Sequence, residues 1–394
     1  MGERDPRSVV VLAHPSPDLY GSDRMLVESV RALVPEWRVV VTIPADGPLS
    51  AALRDAGAEI VVLPVPVLRK AYMSPFGLVR LAFAATRALP AAWRLLRRHR
   101  AAALYVNTVT IPLWLVAARL ARVPSLCHVH EAEDGVPGPV RAALSAPLRL
   151  ARTVVVNSRA SAAALGGAGR RSRVVYNGVD EPDAVTEPRA EPGPPVRIAL
   201  VGRLSPRKGS DVAVRAAGVL RARGYDASLT LVGDVFPGYE WFEEELRTLA
   251  SSPGNGGAEV VFAGFRPSVW ESFAEADVAI VPSRVEPFGN VAVEAMLAGR
   301  PVVASATQGL VEIVSDGENG VLVAPEDPEA LADGIARILD DWNGALAMAK
   351  RARADAARRF GKDRYHRELR DAIRGLADPA QAAPAPAPTR TQSP

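Results

Sequence analysis

"ADVAIVPSRVEPFGNVAVEAMLAGRPVVAS", residues 276–305, reads as one full repeat of a parallel α/β sheet. Residues 276–283 are a near-continuous apolar run, the pattern of a strand buried on both faces. "RVEPFG" is a loop closed by Gly289. Asn290 is placed to cap the helix "VAVEAMLA" (291–298), which Gly299 stops. "RPVVAS" (300–305) is the next strand. Strand, helix and strand at this spacing make a βαβ unit.

The alternation extends in both directions. Upstream, "VRIALVGR" (196–203), "ASLTLVGD" (227–234) and "AEVVFAGF" (258–265) are strands with helices between them. Before them lies "EPDAVTEPRAEPGPP" (181–195), rich in Pro and acids and without apolar periodicity, which reads as an interdomain linker. The first part repeats the pattern, with strands at 8–14, 37–44, 58–65, 102–108, 124–131 and 153–158. The expected fold class is therefore α/β, with two doubly wound Rossmann-like domains facing across a cleft. Residues 1–180 form the first domain, 181–195 the linker and 196–361 the second domain. Residues 362–377 form a C-terminal helix with the option of crossing back to the first domain. The Pro/Ala-rich stretch 378–394 is expected to be disordered.

Composition narrows the classes. Of 394 residues, 48% are apolar and 23% charged, the globular range. A net charge of +3, from 47 basic and 44 acidic groups, is too small to argue for nucleic acid. The single cysteine, Cys127, excludes an intramolecular disulfide and fits a reducing compartment. The start "MGERDPRSVVVLAH" lacks the basic, long-apolar form of a secretory signal. No apolar stretch approaches the ~20 residues of a membrane span. A cytoplasmic location is expected, with peripheral contact on the inner membrane face as an option. Residues 68–100 carry Arg80, Arg87, Arg94, Arg97, Arg98 and Arg100 at helical spacing. They read either as helices packed on the core and broken at Pro90, the favoured option, or as a basic amphipathic helix on a membrane.

In open α/β sheets ligands bind at the carboxyl ends of the strands, so chemistry is sought in the strand-to-helix loops. "VGRLSPRKGSD" (201–211) places Arg203 and Lys208 beside a helix N-terminus, an anion site suited to a diphosphate. The order Lys208-Gly209-Ser210 is not the Walker order, and no GxGxxG occurs to suggest a nicotinamide dehydrogenase. Glu286, in its loop, and Glu294, about one turn into the helix, flank the N–H groups of residues 288 to 291. Two carboxylates there either grip neighbouring hydroxyls or act as an acid–base pair; alone, each would be a solvated acid or a helix-start charge. His128 and His130, two apart on a strand, point the same way. A metal site would need Glu131 or Asp134 as well, without clear spacing, and none is expected.

Taken in order, these stretches resemble the retaining glycosyltransferases of family 4, which have the GT-B fold. "YGSDRML" is similar to the family's glycine loop and Arg-containing first helix, "CHVHE" to its His-bearing strand end and "VVVNSRASAAAL" to the strand and turn that follow. "VVYNGVD" resembles the element before the linker, "VGRLSPRKGSD" the diphosphate loop, "EPFGNVAVEA" the E-x7-E element, and "EIVSDGENGVLVAPEDPEALADGI" the closing segment. The resemblance implies catalytic roles for His130, Glu286, Arg203 and Lys208. It implies donor binding by Gly21, Ser22, Arg203, Lys208, Glu286, Phe288, Gly289, Asn290, Val291 and Glu294. Glu294 would hold the ribose, Glu286 and the N–H groups of Phe288 and Gly289 the sugar, and His130 would face it near the anomeric carbon. The implied donor is a nucleotide-diphosphate sugar, UDP or GDP, with no resident cofactor. The partner is a hydroxyl acceptor, lipid-linked in one reading, and substitution occurs on one face of the sugar. A non-catalytic sugar-nucleotide-binding protein is the alternative. Two departures stand out: Ser22 occupies a frequent glycine position, and Gln308-Gly309 replaces the usual Gly-Gly.

Overall fold

Short β-branched runs with no polar face can be satisfied only between two layers of helix, and the strands are stacked that way. The computed structural model describes residues 7–19, 21–68, 75–132 and 138–377. The first sheet holds β1 (Val9–Ala13), β2 (Arg38–Ile43), β3 (Glu59–Val62), β4 (Ala103–Val106), β5 (Ser125–Val129), β6 (Thr153–Val156) and β7 (Arg173–Val174), in the order β3-β2-β1-β4-β5-β6-β7. The second holds β8 (Val196–Val201), β9 (Ala227–Val232), β10 (Glu259–Gly264), β11 (Val278–Val281), β12 (Val302–Ser305) and β13 (Val321–Val323), in the order β10-β9-β8-β11-β12-β13. All pairings are parallel, with Val10 opposite Val39 and Ala103, and Ile198 opposite Leu229 and Val278. The β7 and β13 edge strands, two and three residues long, escape the apolar-run reading because they are too short to show a pattern.

The first domain's helices are α1 (Gly21–Leu33), α2 (Pro48–Asp55), α3 (Pro75–Arg98), α4 (Leu113–Ala121), α5 (Gly138–Ser145) and α6 (Arg159–Ala164). The second domain has α7 (Ser210–Ala222), α8 (Glu240–Ser251), α9 (Val269–Glu275), α10 (Asn290–Leu297), α11 (Leu310–Ile313), α12 (Pro328–Asp340) and α13 (Trp342–Phe360), followed by α14 (Lys362–Ala377). Period-two alternation along β1 sends Val10 and Leu12 to one face and Val9, Val11 and Ala13 to the other. Each sheet thus carries two apolar layers, one per face.

Two local expectations need correction. The helix α3 runs through Pro90 rather than breaking there. The ring removes one backbone donor, and burial of Ala88, Ala92 and Leu96 on the core side holds the helix together. Asn290 is not the cap of α10: Gly289 is, at φ +119°, and Asn290 is the first helical residue. Residues 181–195 contain no strand or helix, yet they are tied down. Arg189 Nε donates to Asp277 at 2.7 Å, and Trp342 Nε1 to the Arg189 carbonyl at 3.0 Å. The stretch 378–394 lies outside the described residues.

The last helix, α14, packs on the first domain. Tyr365, Leu369, Ala372, Ile373 and Leu376 join Met25, Leu26 and Val30 of α1 in one buried layer. Leu369 is fully buried, so Leu369→Ala is expected to cost about 3 kcal/mol of stability, measured as a lowered denaturant midpoint. A change below about 1 kcal/mol would show that this helix is not part of the folded core.

Candidate active site

Strand order reverses between β1 and β4 in the first sheet and between β8 and β11 in the second. The loops leaving these strands diverge, and the crevice between them is where such sheets bind ligands. In the second domain the loop after β8 carries Arg203 and Lys208, and the loop after β11 carries Glu286.

The structure brings these residues together. Lys208 Nζ pairs with Glu286 Oε2, both side chains largely buried. Ser283 Oγ donates to the same oxygen at 3.3 Å. Arg203 lies over the ring of Phe236, 3.2 Å from its centroid, in the loop after β9. Glu294, one turn into α10, is half-buried. Burial pushes its carboxyl up, while Arg24 of α1 and Lys208 pull it back. Arg24 therefore reaches Glu294 electrostatically from the other domain. Between Glu286 and Glu294, the N–H groups of Phe288, Gly289, Asn290 and Val291 have no hydrogen-bond partner among the described residues, as expected at a helix start. The Phe288 ring is buried among Tyr176 and Phe360, at centroid distances of 5.9 and 5.6 Å, so only its backbone remains for a ligand. Val291 is partly buried at the start of α10.

Facing them are the ends of β1, β4 and β5 in the first domain. Gly21 and Ser22 open α1, and a Cβ on Gly21 would meet nothing within 4 Å. His130 follows β5. Its Nε2 lies 2.9 Å from Asn107 Oδ1, and burial and nearby His14 hold its pKa down to about 3. His128 is wholly buried, 2.7 Å from the Tyr105 hydroxyl, with its ring centroid 4.1 Å from that of His130. Glu131 accepts from Thr108 Oγ1 and from the His130 N–H. Glu131 is thus committed to protein partners, whereas His130 Nδ1 and His128 Nε2 are buried with no hydrogen-bond partner among the described residues. Asp134 lies outside the described residues.

Side chains also cross between the domains. Gln308 Nε2 donates to the Ala132 carbonyl at 2.9 Å, and its Oε1 accepts from the Glu286 N–H at 2.9 Å. Glu312 accepts from the Arg159 and Ala160 N–H groups, both at 2.9 Å, at the start of α6, and from the Tyr176 hydroxyl at 3.0 Å. Asn177 Nδ2 donates to Asn290 Oδ1 at 2.9 Å, which is the use the structure makes of that side chain.

Comparison with known proteins agrees with this fold. The Glycosyltransferase Family 4 model matches residues 20–181, and the Glycosyl transferases group 1 model matches residues 184–355. The chain belongs to the family 4 glycosyltransferases. An uncharacterized glycosyltransferase of Methanocaldococcus jannaschii is 35% identical over 173 residues, 43% of each chain. A D-inositol 3-phosphate glycosyltransferase of Acidothermus cellulolyticus is 36% identical over 266 residues, 61% of this chain and 58% of that one. The chain spans about half the length of these curated relatives. Anabaena HepE, solved in complex with UDP and glucose, shares the GT-B fold with a TM-score of 0.77 at 24% identity, covering 92% of this chain and 98% of that one.

Against the family pattern, Gly309 keeps its glycine for a steric reason. A Cβ there would lie 2.4 Å from the Pro287 carbonyl and 2.5 Å from Phe288 Cα. Gln308 has a side chain at φ +40° and uses it to join the two domains. Sequence reasoning missed His14, Asp23, Asn107 and Glu312, and marked Gln308 only as a departure from the family pattern. A signal existed for His14 and Asn107, since each is a polar residue directly after an apolar strand run. Glu312 carried none, because its partners are backbone groups far away in the chain.

His130 is neutral in the folded chain, while in the unfolded chain it protonates below its ordinary value of 6.5. Its contribution to stability is thus complete above that value and is lost as pH falls towards about 3. Lowering pH from about 7 to about 4.5 should therefore destabilise the native chain more than His130→Asn, in denaturant titrations at both values. Equal losses would mean that His130 is not held neutral.

Proposed function

We propose that the chain is a retaining glycosyltransferase that moves a sugar from a nucleotide-diphosphate sugar to a hydroxyl acceptor. The observation that carries this reading is the meeting of Lys208, Glu286 and Glu294 around the unpartnered N–H groups at the start of α10. A diphosphate would take the Lys208 ammonium, the Arg203 guanidinium and those N–H groups, which stabilise the charge that grows on the leaving phosphate. Glu294 would accept from the ribose hydroxyls and Glu286 from the sugar hydroxyls, holding the anomeric carbon in place for attack. Gly21 and Ser22 would approach the phosphates through the backbone at the start of α1, and His130 would stand beside the sugar. Because Glu286 is engaged by Lys208 and Ser283, it is poorly suited to attack carbon, which favours same-face substitution over a double displacement.

A UDP sugar is the first donor to test, since HepE was solved with UDP and glucose. A thermal-shift panel of UDP, GDP, ADP and dTDP should show one diphosphate raising the melting temperature above the rest. Lys208→Ala should weaken that nucleotide roughly tenfold or more, read by calorimetric titration. Unchanged affinity would remove Lys208 from the phosphate site. Nucleotide binding without sugar transfer or donor hydrolysis would favour the non-catalytic alternative.

A second observation bears on the acceptor. The outer face of α3 exposes Phe76 (76%), Val79 and Phe83 (60%) beside Arg80, Arg87 and Arg94, with the Arg87 guanidinium 4.6 Å from the Phe83 ring centroid. Aromatic side chains among cations on one helix face suit an anionic lipid surface. Among the described residues no helix is long and apolar enough to cross a membrane, so the contact proposed is superficial, with a lipid-linked acceptor. The chain should sediment with phosphatidylglycerol vesicles and not with phosphatidylcholine vesicles, and Phe76→Ser with Phe83→Ser should release it. Equal sedimentation of wild type and variant would rule out this face.

A further inference from the structure

His14, Asp23, Asn107 and His130 come from separate elements of the first domain, yet they form one chain of hydrogen bonds. Asp23, in the first turn of α1, lies 2.8 Å from His14 Nε2. His14 Nδ1 is 3.0 Å from Asn107 Nδ2. Asn107 Oδ1 faces His130 Nε2 at 2.9 Å and accepts from the Tyr105 hydroxyl at 2.9 Å. Asp23, His14 and Asn107 are 4%, 5% and 1% exposed, so donors and acceptors must match along the chain.

Proton placement then follows from the Asn107 carboxamide. Its Nδ2, a donor, faces His14 Nδ1, so that nitrogen accepts and the His14 proton sits on Nε2, towards Asp23 Oδ1. The same orientation turns the carboxamide oxygen towards His130. That oxygen requires a proton on His130 Nε2 and leaves Nδ1 a bare acceptor. The His130 Nδ1 atom is buried and has no hydrogen-bond partner among the described residues. A ring held well below its ordinary pKa stays neutral, so this tautomer persists at neutral pH.

We propose that Asp23, His14 and Asn107 are positioning residues that set the tautomer of His130, so that its ring offers Nδ1 as a hydrogen-bond acceptor to a substrate hydroxyl. This rests on the glycosyltransferase reading for the identity of the hydroxyl, but not for the tautomer. In that role His130 orients a hydroxyl and neither donates nor removes a proton. A doubly protonated ring, or the opposite tautomer, would present N–H where an acceptor is wanted.

The isosteric substitution Asp23→Asn tests the chain. Its carboxamide can donate to His14 Nε2, which moves the His14 proton to Nδ1, turns Asn107 over and moves the His130 proton to Nδ1. Long-range proton–nitrogen correlation spectra of the 15N-histidine-labelled full chain, without substrate, should show His130 as Nε2–H in wild type and as Nδ1–H in Asp23→Asn. With UDP-glucose as the probe, kcat for hydrolysis should fall at least about tenfold while KM changes less than about threefold. An unchanged Nε2–H tautomer, or a switched tautomer with unchanged kcat, would overturn the proposal. If Asp23→Asn fails to fold, Asn107→Leu serves, since it removes both links. His130 should then populate both tautomers, and a single Nε2–H form would overturn the idea. Absence of UDP-glucose hydrolysis in wild type would count against the glycosyltransferase reading with that donor, while the spectra would still judge the tautomer.

Discussion

The site depends on two loops pressed together at the point where strand order reverses in the second sheet. Gly209 sits at φ +70°, and a Cβ on it would lie 2.0 Å from the Pro282 carbonyl, so only glycine lets the loop after β8 reach the loop after β11. Arg284 then locks them. Its guanidinium meets both oxygens of Asp211 at 2.8 Å, and its N–H donates to the Arg207 carbonyl at 2.9 Å. Partial burial pushes the Asp211 carboxyl up, but Arg284 holds it below the usual range. A bidentate charged pair of this kind sets direction as well as distance. Lys208 and Glu286 meet because their loops are fastened one residue or two away.

The second constraint is the seam between the domains. Two separate α/β domains would leave the ends of β5 and β11 free to drift. Here Gln308 is bonded to Ala132, two residues past His130, and to the N–H of Glu286. Glu312 satisfies two of the N–H groups at the start of α6, groups that a helix end must pair with something. The helix α14 leaves the second domain and buries its apolar face in the first. The polar chain that reaches His130 also touches this helix, since Ser29 bridges the hydroxyls of Tyr105 and Tyr365 at 3.2 and 2.7 Å. The arrangement ties the His130 side and the Glu286 side of the cleft to one frame.

The alternating apolar runs were legible because period and length are local properties. "SVVVLAH" and "VRIALVGR" can be read as strands without knowing their neighbours, and they are β1 and β8. The loops that follow them were legible for the same reason. What the reading lost was short or compensated. A two-residue β7 has no period, and Pro90 breaks an isolated helix but not one whose inner face is buried. Asn290 looks like a cap because caps are statistically Asn, but the backbone gave that place to Gly289 at φ +119° and sent the Asn290 side chain to Asn177.

By itself the sequence determined the longer strands, that the sheets are parallel, and which loops carry cations and carboxylates, because these follow from residue type and spacing along a few turns of chain. Only the tertiary structure decided which of those groups meet. The Lys208–Glu286 pair joins residues 78 positions apart, Gln308 and Ala132 are 176 apart, and Asn107 and His14 are 93 apart. Whether a histidine carries its proton on one nitrogen or the other depends on the partner at the end of such a chain. No local pattern encodes that partner; it is chosen when the sheets close and polar groups must find one another away from water.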